Sequence, residues 1–449
     1  MPAKHHAPLP QPIFHEPDLQ QPIFSEDATL PSPTGFETKH PSDSAIYAEV
    51  QELLKKDVVD IPKSRAADDA LFSLADAYGS NHGPQVIDKI KKAGKIVFHA
   101  IGDSGASDVR KYTDELRVSD QVTLDCTQAD DANRPAFLFH LGDVVYNFGE
   151  SRYYYDQFYD AFRNYPAPIF AIPGNHDSFV VPGTAPADTP LTTFQRNFCS
   201  EHPVITPEAG SLHRTAMTQP GVYFTLDAPY VRIIGLFSNA LEDPGVISNA
   251  DGKWPAVDDT QLKFLRAQLQ RIKKDNYKGA VLLAVHHPPY SYSPPPKKGT
   301  GGNHASSFVM LSQIDEICLS EGVYPHAVLA AHAHNYQRYS RTITFKGHDY
   351  DVPFIVCGDG GHNVNPLVRS GPEPHPTSRV DYLEWAKAKI KAKELWLEKY
   401  NYDHYGYLRI HVDEKELIIN FHQTSATTLG QSRYDMVTVD LASHKMVTN

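Results

Sequence analysis

The feature that most constrains this chain is a series of short apolar runs, each followed closely by a polar residue. KIVFHAI at 95–101 leads to Asp103, and PAFLFHL at 135–141 leads to Asp143. A short apolar run without alternation is typical of a parallel strand that is buried on both faces. In open α/β sheets, ligands bind at the carboxyl ends of such strands. The pattern therefore predicts a buried parallel sheet that delivers polar side chains to one edge.

Segments with helical spacing separate these runs and indicate the fold class. Strands alternating with helices favour α/β layers in which most neighbouring strands are parallel. Further strands are predicted at 168–172, 230–238, 280–285, 326–331 and 353–357, and helices at 151–163, 258–274 and 306–321.

The C-terminal part of the chain has a different pattern. A charged segment at 384–399 is predicted to be a helix. The sequence YGYLRIHVDEKELIINFH at 405–422 contains two alternating runs around DEKE, which predicts a β-hairpin, and MVTVDL at 436–441 predicts one more strand. Antiparallel strands after an α/β core indicate a second sheet packed behind the first.

The segment before the strand series is expected to form a separate N-terminal element. Residues 1–44 are rich in proline and contain QPIF twice, and we expect an extended strap whose Ile and Phe side chains contact the body. Helical spacing follows at 45–57, 66–78 and 85–93. We therefore predict an arm with helices over 1–94 and a main domain over 95–449, in which 370–449 completes the second sheet.

Composition excludes several classes of function. The net charge of -12 argues against non-specific binding to nucleic acid or anionic membranes, which rewards an excess of Lys and Arg. No run approaches 18 uncharged apolar residues, so no membrane-spanning helix is expected. The four cysteines are widely spaced and are interpreted as reduced thiols. The N-terminal residues contain no apolar leader, so the expected location is the cytoplasm, with secretion and the oligomeric state left open.

Seven polar residues near the ends of these runs are candidate metal ligands. Carboxylate, phenolate, amide oxygen and imidazole without thiolate favour Fe(III), Mn, Zn or Mg over soft ions. Seven ligands exceed the need of one ion that keeps room for water, whereas two ions sharing a bridging carboxylate fit the number. Asp143, in the central motif, is the natural bridge. The candidates are Asp103, Asp143, Tyr146, Asn175, His286, His332 and His334.

The motifs around these residues resemble a known family. In chain order they read GDxG, GDxxY, GNHD, xHxP and xHxH. This order resembles that of the calcineurin-like metallophosphoesterases, and within them the purple acid phosphatases, over residues 95–365 and again at YGYLRIHV. The resemblance implies a four-layer α/β/β/α sandwich of two mixed sheets.

The first motif separates the branches of that family. Most members have DxH there, whereas this chain has Gly105 in the place of the histidine. Purple acid phosphatases compensate with a tyrosine three residues after the second aspartate, and Tyr146 has that spacing from Asp143. The resemblance thus implies a first metal, Fe(III), held by Asp103, Asp143, Tyr146 and His334. It implies a second, divalent metal (Fe(II), Zn or Mn) held by Asp143, Asn175, His286 and His332.

Other histidines are expected to contact the substrate. His176, in GNHD, resembles the family's histidine that contacts phosphate and protonates the leaving group. His286 rather than His287 is chosen as the ligand because it lies two residues before Pro288, and His287 is then expected to face the substrate. His304, with Lys297 and Lys298, is a further candidate for phosphate binding. One departure from the family is Ala331, where a glycine is usual; a positive φ there would strain the alanine.

The implied activity is hydrolysis of small phosphate monoesters by a metal-bound hydroxide, with Asp143 and His176 as the central catalytic residues. A phosphodiesterase acting on nucleotide-type substrates is the alternative within enzymes, because related members differ mainly in the loops around the pocket. A non-catalytic scaffold that keeps the fold, and a redox role for iron, are the alternatives from other classes.

Overall fold

The computed structural model describes residues 61–180, 189–240, 245–292, 304, 306–368, 373–375, 377–380, 389–425 and 430–447. The predicted strap at 1–44, the helix at 45–57 and the two lysines Lys297 and Lys298 lie outside these residues.

Sixteen strands and eight α-helices form the described part of the chain. The strands are β1 Leu71–Ser73, β2 Lys95–Ile101, β3 Leu138–His140, β4 Ile169–Ala171, β5 Phe224–Ala228, β6 Val231–Gly235, β7 Ala280–Ala284, β8 Ala327–Ala330, β9 Tyr336–Phe345, β10 His348–Cys357, β11 Ser378–Arg379, β12 Ala392–Asn401, β13 Gly406–Asp413, β14 Glu416–Thr424, β15 Gln431–Asp440 and β16 Lys445–Val447. The helices are α1 Leu74–Ala77, α2 Gly79–Ala93, α3 Val109–Gln128, α4 Ser151–Tyr154, α5 Asn175–Ser178, α6 Thr192–Phe198, α7 Thr260–Lys274 and α8 Phe308–Glu321.

The strands form two mixed sheets. The nine-stranded sheet has the order β1-β5-β6-β7-β8-β10-β9-β12-β11, and the seven-stranded sheet has the order β16-β15-β14-β13-β2-β3-β4. Strands β6, β7, β8 and β10 pair in parallel, as do β2, β3 and β4. The remaining strands of the second sheet, β13 to β16, pair antiparallel. Helices with these two sheets confirm the predicted α/β class and the four-layer α/β/β/α sandwich.

Aromatic side chains pack the sheets together. Phe139 on β3 stacks on Phe224 of β5, with ring centroids 6.0 Å apart, and Phe170 on β4 lies 6.4 Å from the same ring. Because these side chains come from different sheets, the apolar core between the layers is continuous. Phe224 and Phe170 are fully buried, and burying aromatic area of this size dominates the energetics of such a core.

Most predicted elements are present, with bounds that differ by a few residues. The strand at 95–101 is found as predicted, and the hairpin at 405–422 is confirmed as β13 and β14, paired antiparallel. Strand β15 covers most of the predicted strand at 436–441. Strand β13 pairs with β2, so the C-terminal strands extend the sheet that contains the first strands of the series.

Two predicted helices are wrong. The segment 66–78 contains a 3₁₀ turn, strand β1 and the one-turn helix α1, because Leu71–Ser73 pairs in parallel with β5. The segment 384–399 ends in strand β12, which pairs antiparallel with β9. Leu395 and Leu397 on β12 are buried, and this two-residue period is the signal of a half-buried strand. Among the described helices, none combines the length and apolar character that crossing a bilayer requires.

Candidate metal centre

Five strands lead to the candidate ligands. In the seven-stranded sheet, β2 leads to Asp103, β3 to Asp143 and Tyr146, and β4 to Asn175. In the nine-stranded sheet, β7 leads to His286 and β8 to the pair His332 and His334. Since β2, β3 and β4 are parallel neighbours, and so are β7 and β8, the carboxyl ends of both groups can deliver side chains to a common edge. All seven side chains are buried.

The Tyr146 hydroxyl is the meeting point of the first cluster. It lies 2.9 Å from Asp103 Oδ1 and 2.8 Å from Asp143 Oδ2. His334 Nε2 is 3.2 Å from the same hydroxyl and 3.4 Å from Asp103 Oδ1. Four side chains predicted to share one cation therefore direct their oxygen or nitrogen atoms at one another.

The Asn175 side-chain oxygen is the meeting point of the second cluster. His286 Nε2 and His332 Nδ1 each lie 3.0 Å from Asn175 Oδ1. His286 Nε2 is also 3.4 Å from Asp143 Oδ2. The same carboxylate oxygen of Asp143 thus contacts members of both clusters, which is the arrangement that a bridging ligand needs.

The donor set fits a pair of cations. Two groups of acidic and imidazole side chains place their ligand atoms within 4.8 Å of one another, and Asp143 belongs to both. The first group is Asp103, Asp143 and His334, and the second is Asp143, His286 and His332. Oxygen and imidazole donors without a thiolate suit hard to intermediate ions such as iron, zinc and manganese.

A hydrogen bond to the backbone orients His286, one of the candidate ligands. His286 Nδ1 is 2.9 Å from the Leu141 carbonyl oxygen. Because a carbonyl only accepts, Nδ1 carries a proton, and Nε2 is the nitrogen that faces Asp143 and Asn175. Such a bond to the outer nitrogen orients a metal-binding histidine and selects its tautomer.

Burial and mutual charge set the ionisation of the cluster. Burial raises the pKa of Asp103. Burial would also raise the pKa of Asp143, but the neighbouring imidazoles of His286 and His176, with hydrogen bonds from His286 and Tyr146, outweigh it and hold that pKa well below its usual range. Burial, and then Asp103 and Asp143, raises the pKa of Tyr146 well above its ordinary value. A cation at this place would favour the phenolate, because opposite charge stabilises the ionised form.

Asp177 holds together the two loops that carry Asp143, Tyr146 and Asn175. Its carboxylate is buried and accepts hydrogen bonds from the backbone N–H groups of Val144, Val145 and Gly174 at 2.8 to 3.1 Å. Burial and the charge of Asp143 raise the pKa of Asp177 to about 7, against the effect of these donors. The GNHD motif contains Asp177, but the sequence analysis assigned it no role.

Gly105 is explained by the loop that delivers Tyr146. A Cβ atom at position 105 would lie 2.5 Å from the Val144 carbonyl oxygen and 2.9 Å from Gln157 Oε1. Gln157 accepts a hydrogen bond from the Tyr146 backbone N–H at 2.7 Å and donates to its carbonyl oxygen at 2.6 Å. The loop that positions Tyr146 therefore occupies the space that a side chain at 105 would need, so glycine and tyrosine occur together for a steric reason.

The three expected substrate contacts lie beside the clusters. His176 donates from its backbone N–H to Asp143 Oδ1 at 2.9 Å, and its Nδ1 is 2.9 Å from the Asn147 carbonyl oxygen. The rings of His287 and His304 lie 4.3 Å and 4.2 Å from the ring of His332. Burial, partly offset by Asp143, lowers the pKa of His176 to about 4. This pKa lies below the ordinary imidazole value of 6.5, so the local environment favours the neutral form of the ring.

Ala331 is accommodated without a positive φ. The left-handed backbone falls instead on His332 and His334, with φ of 69° and 48°. A Cβ on Gly102 would lie 2.3 Å from the Ala331 methyl group. The alanine therefore fits because residue 102 is glycine.

His362 is a neighbour of the site that the sequence analysis missed. Its ring stacks on Tyr146 with centroids 3.4 Å apart and 15° between the planes. Its only signal in the sequence is its place at the end of the glycine-rich segment CGDGGH. In the same segment, the Asp359 carbonyl accepts a hydrogen bond from the Gly406 backbone N–H at 3.0 Å.

A family model now adds to this geometry. The model described as calcineurin-like phosphoesterase matches residues 96–336, just over half of the chain. The chain therefore belongs to the calcineurin-like phosphoesterase family. Metal-dependent hydrolysis of phosphoesters is the activity that this membership implies, and the family uses divalent metals.

Solved structures resemble the chain only distantly. GAP50, the anchor in the inner membrane complex of Plasmodium, is 12% identical with a TM-score of 0.44, and the match covers 76% of this chain and 88% of GAP50. PhoD is also 12% identical with a TM-score of 0.44, over 79% of this chain and 72% of PhoD. A predicted phosphoesterase from Streptococcus pneumoniae is 10% identical with a TM-score of 0.23, over 76% and 98%. No curated protein matches the chain. Likeness this weak supports no conclusion about activity.

Proposed function

We propose that the chain is a purple acid phosphatase-like enzyme that hydrolyses phosphate monoesters at a centre of two cations. The observation that supports this most is the Tyr146 hydroxyl, which lies within 3.2 Å of Asp103, Asp143 and His334. Gly105 stands where most family members have a histidine, so a phenolate takes part in the first site in its place.

The two clusters would hold different ions. Asp103, Asp143, Tyr146 and His334 supply three anionic donors, and this set favours Fe(III). Asp143, Asn175, His286 and His332 supply a single anion and suit a divalent ion such as Fe(II), Zn or Mn. When bound, such cations supply a nucleophile from water near neutral pH and stabilise charge on phosphate oxygens.

The local charge would attract phosphate in spite of the acidic surface. Three anionic side chains do not neutralise a trivalent and a divalent ion together. With both ions bound, the site would therefore have net positive charge, although the whole chain carries -12. In a cleft shielded from water, such a local centre outweighs distant surface charge.

His176 is placed to handle the proton of the leaving group. Its Nδ1 donates to the Asn147 carbonyl, so Nε2 is the nitrogen that exchanges a proton with the substrate. The pKa of about 4 makes the ring neutral before an anion arrives. A phosphate dianion beside the ring raises that pKa, because a nearby negative charge stabilises imidazolium. His287 and His304, on the side of His332, would bind phosphate oxygens.

The test compares substrates and variants of the full chain. p-Nitrophenyl phosphate and bis(p-nitrophenyl) phosphate are assayed with the same purified protein. Faster turnover of the monoester is expected, and preference for the diester would instead assign the protein as a phosphodiesterase. Metal analysis of the same protein should find iron with a second metal, whereas failure to retain metal after reconstitution would indicate a scaffold.

A tyrosine pair tests the first cation site directly. Tyr146→Phe should abolish the visible absorbance of the iron-loaded protein, because the phenolate is the chromophore's donor. Tyr78→Phe is the matched control, since Tyr78 is also buried but its hydroxyl bonds to the Ala136 carbonyl at 2.7 Å, in the core. Retention of the band in Tyr146→Phe would place the phenolate elsewhere.

A further inference from the structure

Tyr146 lies between two imidazole rings. His362 covers one face at 3.4 Å, and the ring centroid of His176 lies 4.1 Å from that of Tyr146. The two imidazole centroids are 6.5 Å apart, less than the sum of these two distances, so the imidazoles flank the phenol ring at an angle and do not face each other across it. The phenol ring therefore has little freedom to turn about its long axis.

His362 is itself held at three atoms. Its Nδ1 is 2.7 Å from the Gly105 carbonyl oxygen, and its Nε2 is 3.0 Å from Lys111 Nζ. A carbonyl only accepts and an ammonium only donates. His362 Nδ1 therefore carries the proton of the neutral ring, and Nε2 accepts a hydrogen bond from Lys111. The backbone N–H of His362 donates to the Asp103 carbonyl at 3.0 Å. The imidazole ring of His362 is thus neutral and fixed in orientation.

Lys111 places a positive charge at the edge of the His362 ring. Burial lowers the pKa of Lys111 to about 8, so it is still mainly charged at pH 7. Its Nζ also donates to Ser107 Oγ at 2.9 Å. The residue sits in the first turn of α3, where the helix dipole disfavours a cation. A half-buried cation at this position is opposed by both solvation and the dipole. The charge of Asp108 offsets part of this cost, and the contact with His362 Nε2 ties the cation to the ring that stacks on Tyr146.

We propose that His362 and Lys111 are positioning residues for Tyr146, which orient the phenol ring and place a positive charge beside the phenolate form. The inference rests on the proposed function, because it requires a phenolate that binds ferric iron. His362 contacts Tyr146 through its ring and Asp103 through its backbone N–H, and Lys111 acts through its contact with His362.

The test is the visible spectrum of the full chain loaded with Fe(III). Lys111→Met keeps the length of the side chain and removes its charge, whereas Lys111→Arg keeps the charge. Loss of the charge raises the energy of the phenolate electrons. The band of Lys111→Met should therefore move to longer wavelength by on the order of 10 nm. Lys111→Arg should keep the band of the unmodified protein.

A ring substitution tests the orientation separately. His362→Phe keeps a flat ring and the charge of Lys111 but loses the bonds to Gly105 and Lys111, so it should shift the band less than Lys111→Met does. Resonance Raman scattering should show an altered tyrosinate C–O stretch in both variants, which a general loss of stability would not produce. Lys111 is half-buried near the surface, so Lys111→Met should still fold and can be measured even if His362→Phe does not fold.

The outcomes separate the two proposals. A tyrosinate band that is present, is lost in Tyr146→Phe and is unchanged in Lys111→Met would overturn this inference and leave the proposed function standing. The absence of any such band from the Fe(III)-loaded unmodified protein would overturn the ferric assignment, and this inference with it.

Discussion

Replacement of Asp177 by alanine should destabilise the fold and the metal centre together. The Asp177 carboxylate is fully buried and accepts hydrogen bonds from three backbone N–H groups, at Val144, Val145 and Gly174. Alanine would leave these donors without that acceptor. A buried donor that loses its partner costs about 1 to 3 kcal/mol, so three donors give roughly 3 to 9 kcal/mol. A water molecule entering the vacated space would recover part of this loss, and we expect about 3 to 5 kcal/mol.

The assay is urea unfolding of chelator-treated protein, so that bound metal does not add to the measured stability. Asp413→Ala is the control, because Asp413 accepts from the backbone N–H groups of Lys415 and Glu416 at a surface turn where water can replace it. The control should lose less than about 1 kcal/mol. If Asp177→Ala loses no more than the control, the carboxylate does not hold the two loops as described.

Three further substitutions test other parts of the chain. His176→Ala should lower kcat by about 10²- to 10⁴-fold and leave the metal content nearly unchanged, measured by turnover and metal analysis. Arg341→Met should lower the free energy of unfolding by about 3 to 5 kcal/mol in urea, because it leaves buried Asp315 unpaired. Burial lowers the pKa of His326 to about 4 from its ordinary value of 6.5. The unfolded chain therefore binds the proton first, and about 3 kcal/mol of stability should be lost as pH falls from 6.5 to 4. His326→Gln should flatten that part of the stability profile.

The layers of the fold and the site residues could be predicted wherever a short stretch of sequence carries the pattern by itself. Strand β7, Ala280–Ala284, is an unbroken apolar run because both faces of a central parallel strand are buried. Its polar successor His286 is then placed at the sheet edge by the strand itself. The same logic holds for Asp103 after β2 and for His332 after β8.

The rest depends on contacts between distant parts of the chain. Lys111 and His362 are 251 residues apart, and neither carries a local pattern that marks it as a neighbour of Tyr146. Strand β1 is only three residues long, and its pairing with β5 overrides the helical spacing around it. Strand β12 carries enough charge to resemble an exposed helix, although the alternation of Leu395 and Leu397 was present in the sequence.

The backbone at the site is strained in a way that apolar burial must support. Asp103, Asp143, His332 and His334 all have φ between 48° and 69°, a region that costs a side chain roughly 1 to 2 kcal/mol per residue. Each of them follows the end of a fully buried strand. Outside the folded protein these four residues would adopt a negative φ, so the packing of the sheets must maintain the positive φ. Gly174 supports the arrangement from the other side, since a Cβ there would lie 2.0 Å from Asp143 Oδ1. The convergence of the ligands is therefore a property of the packed strands, and mutations that loosen the sheet core should disturb the site before they unfold the chain.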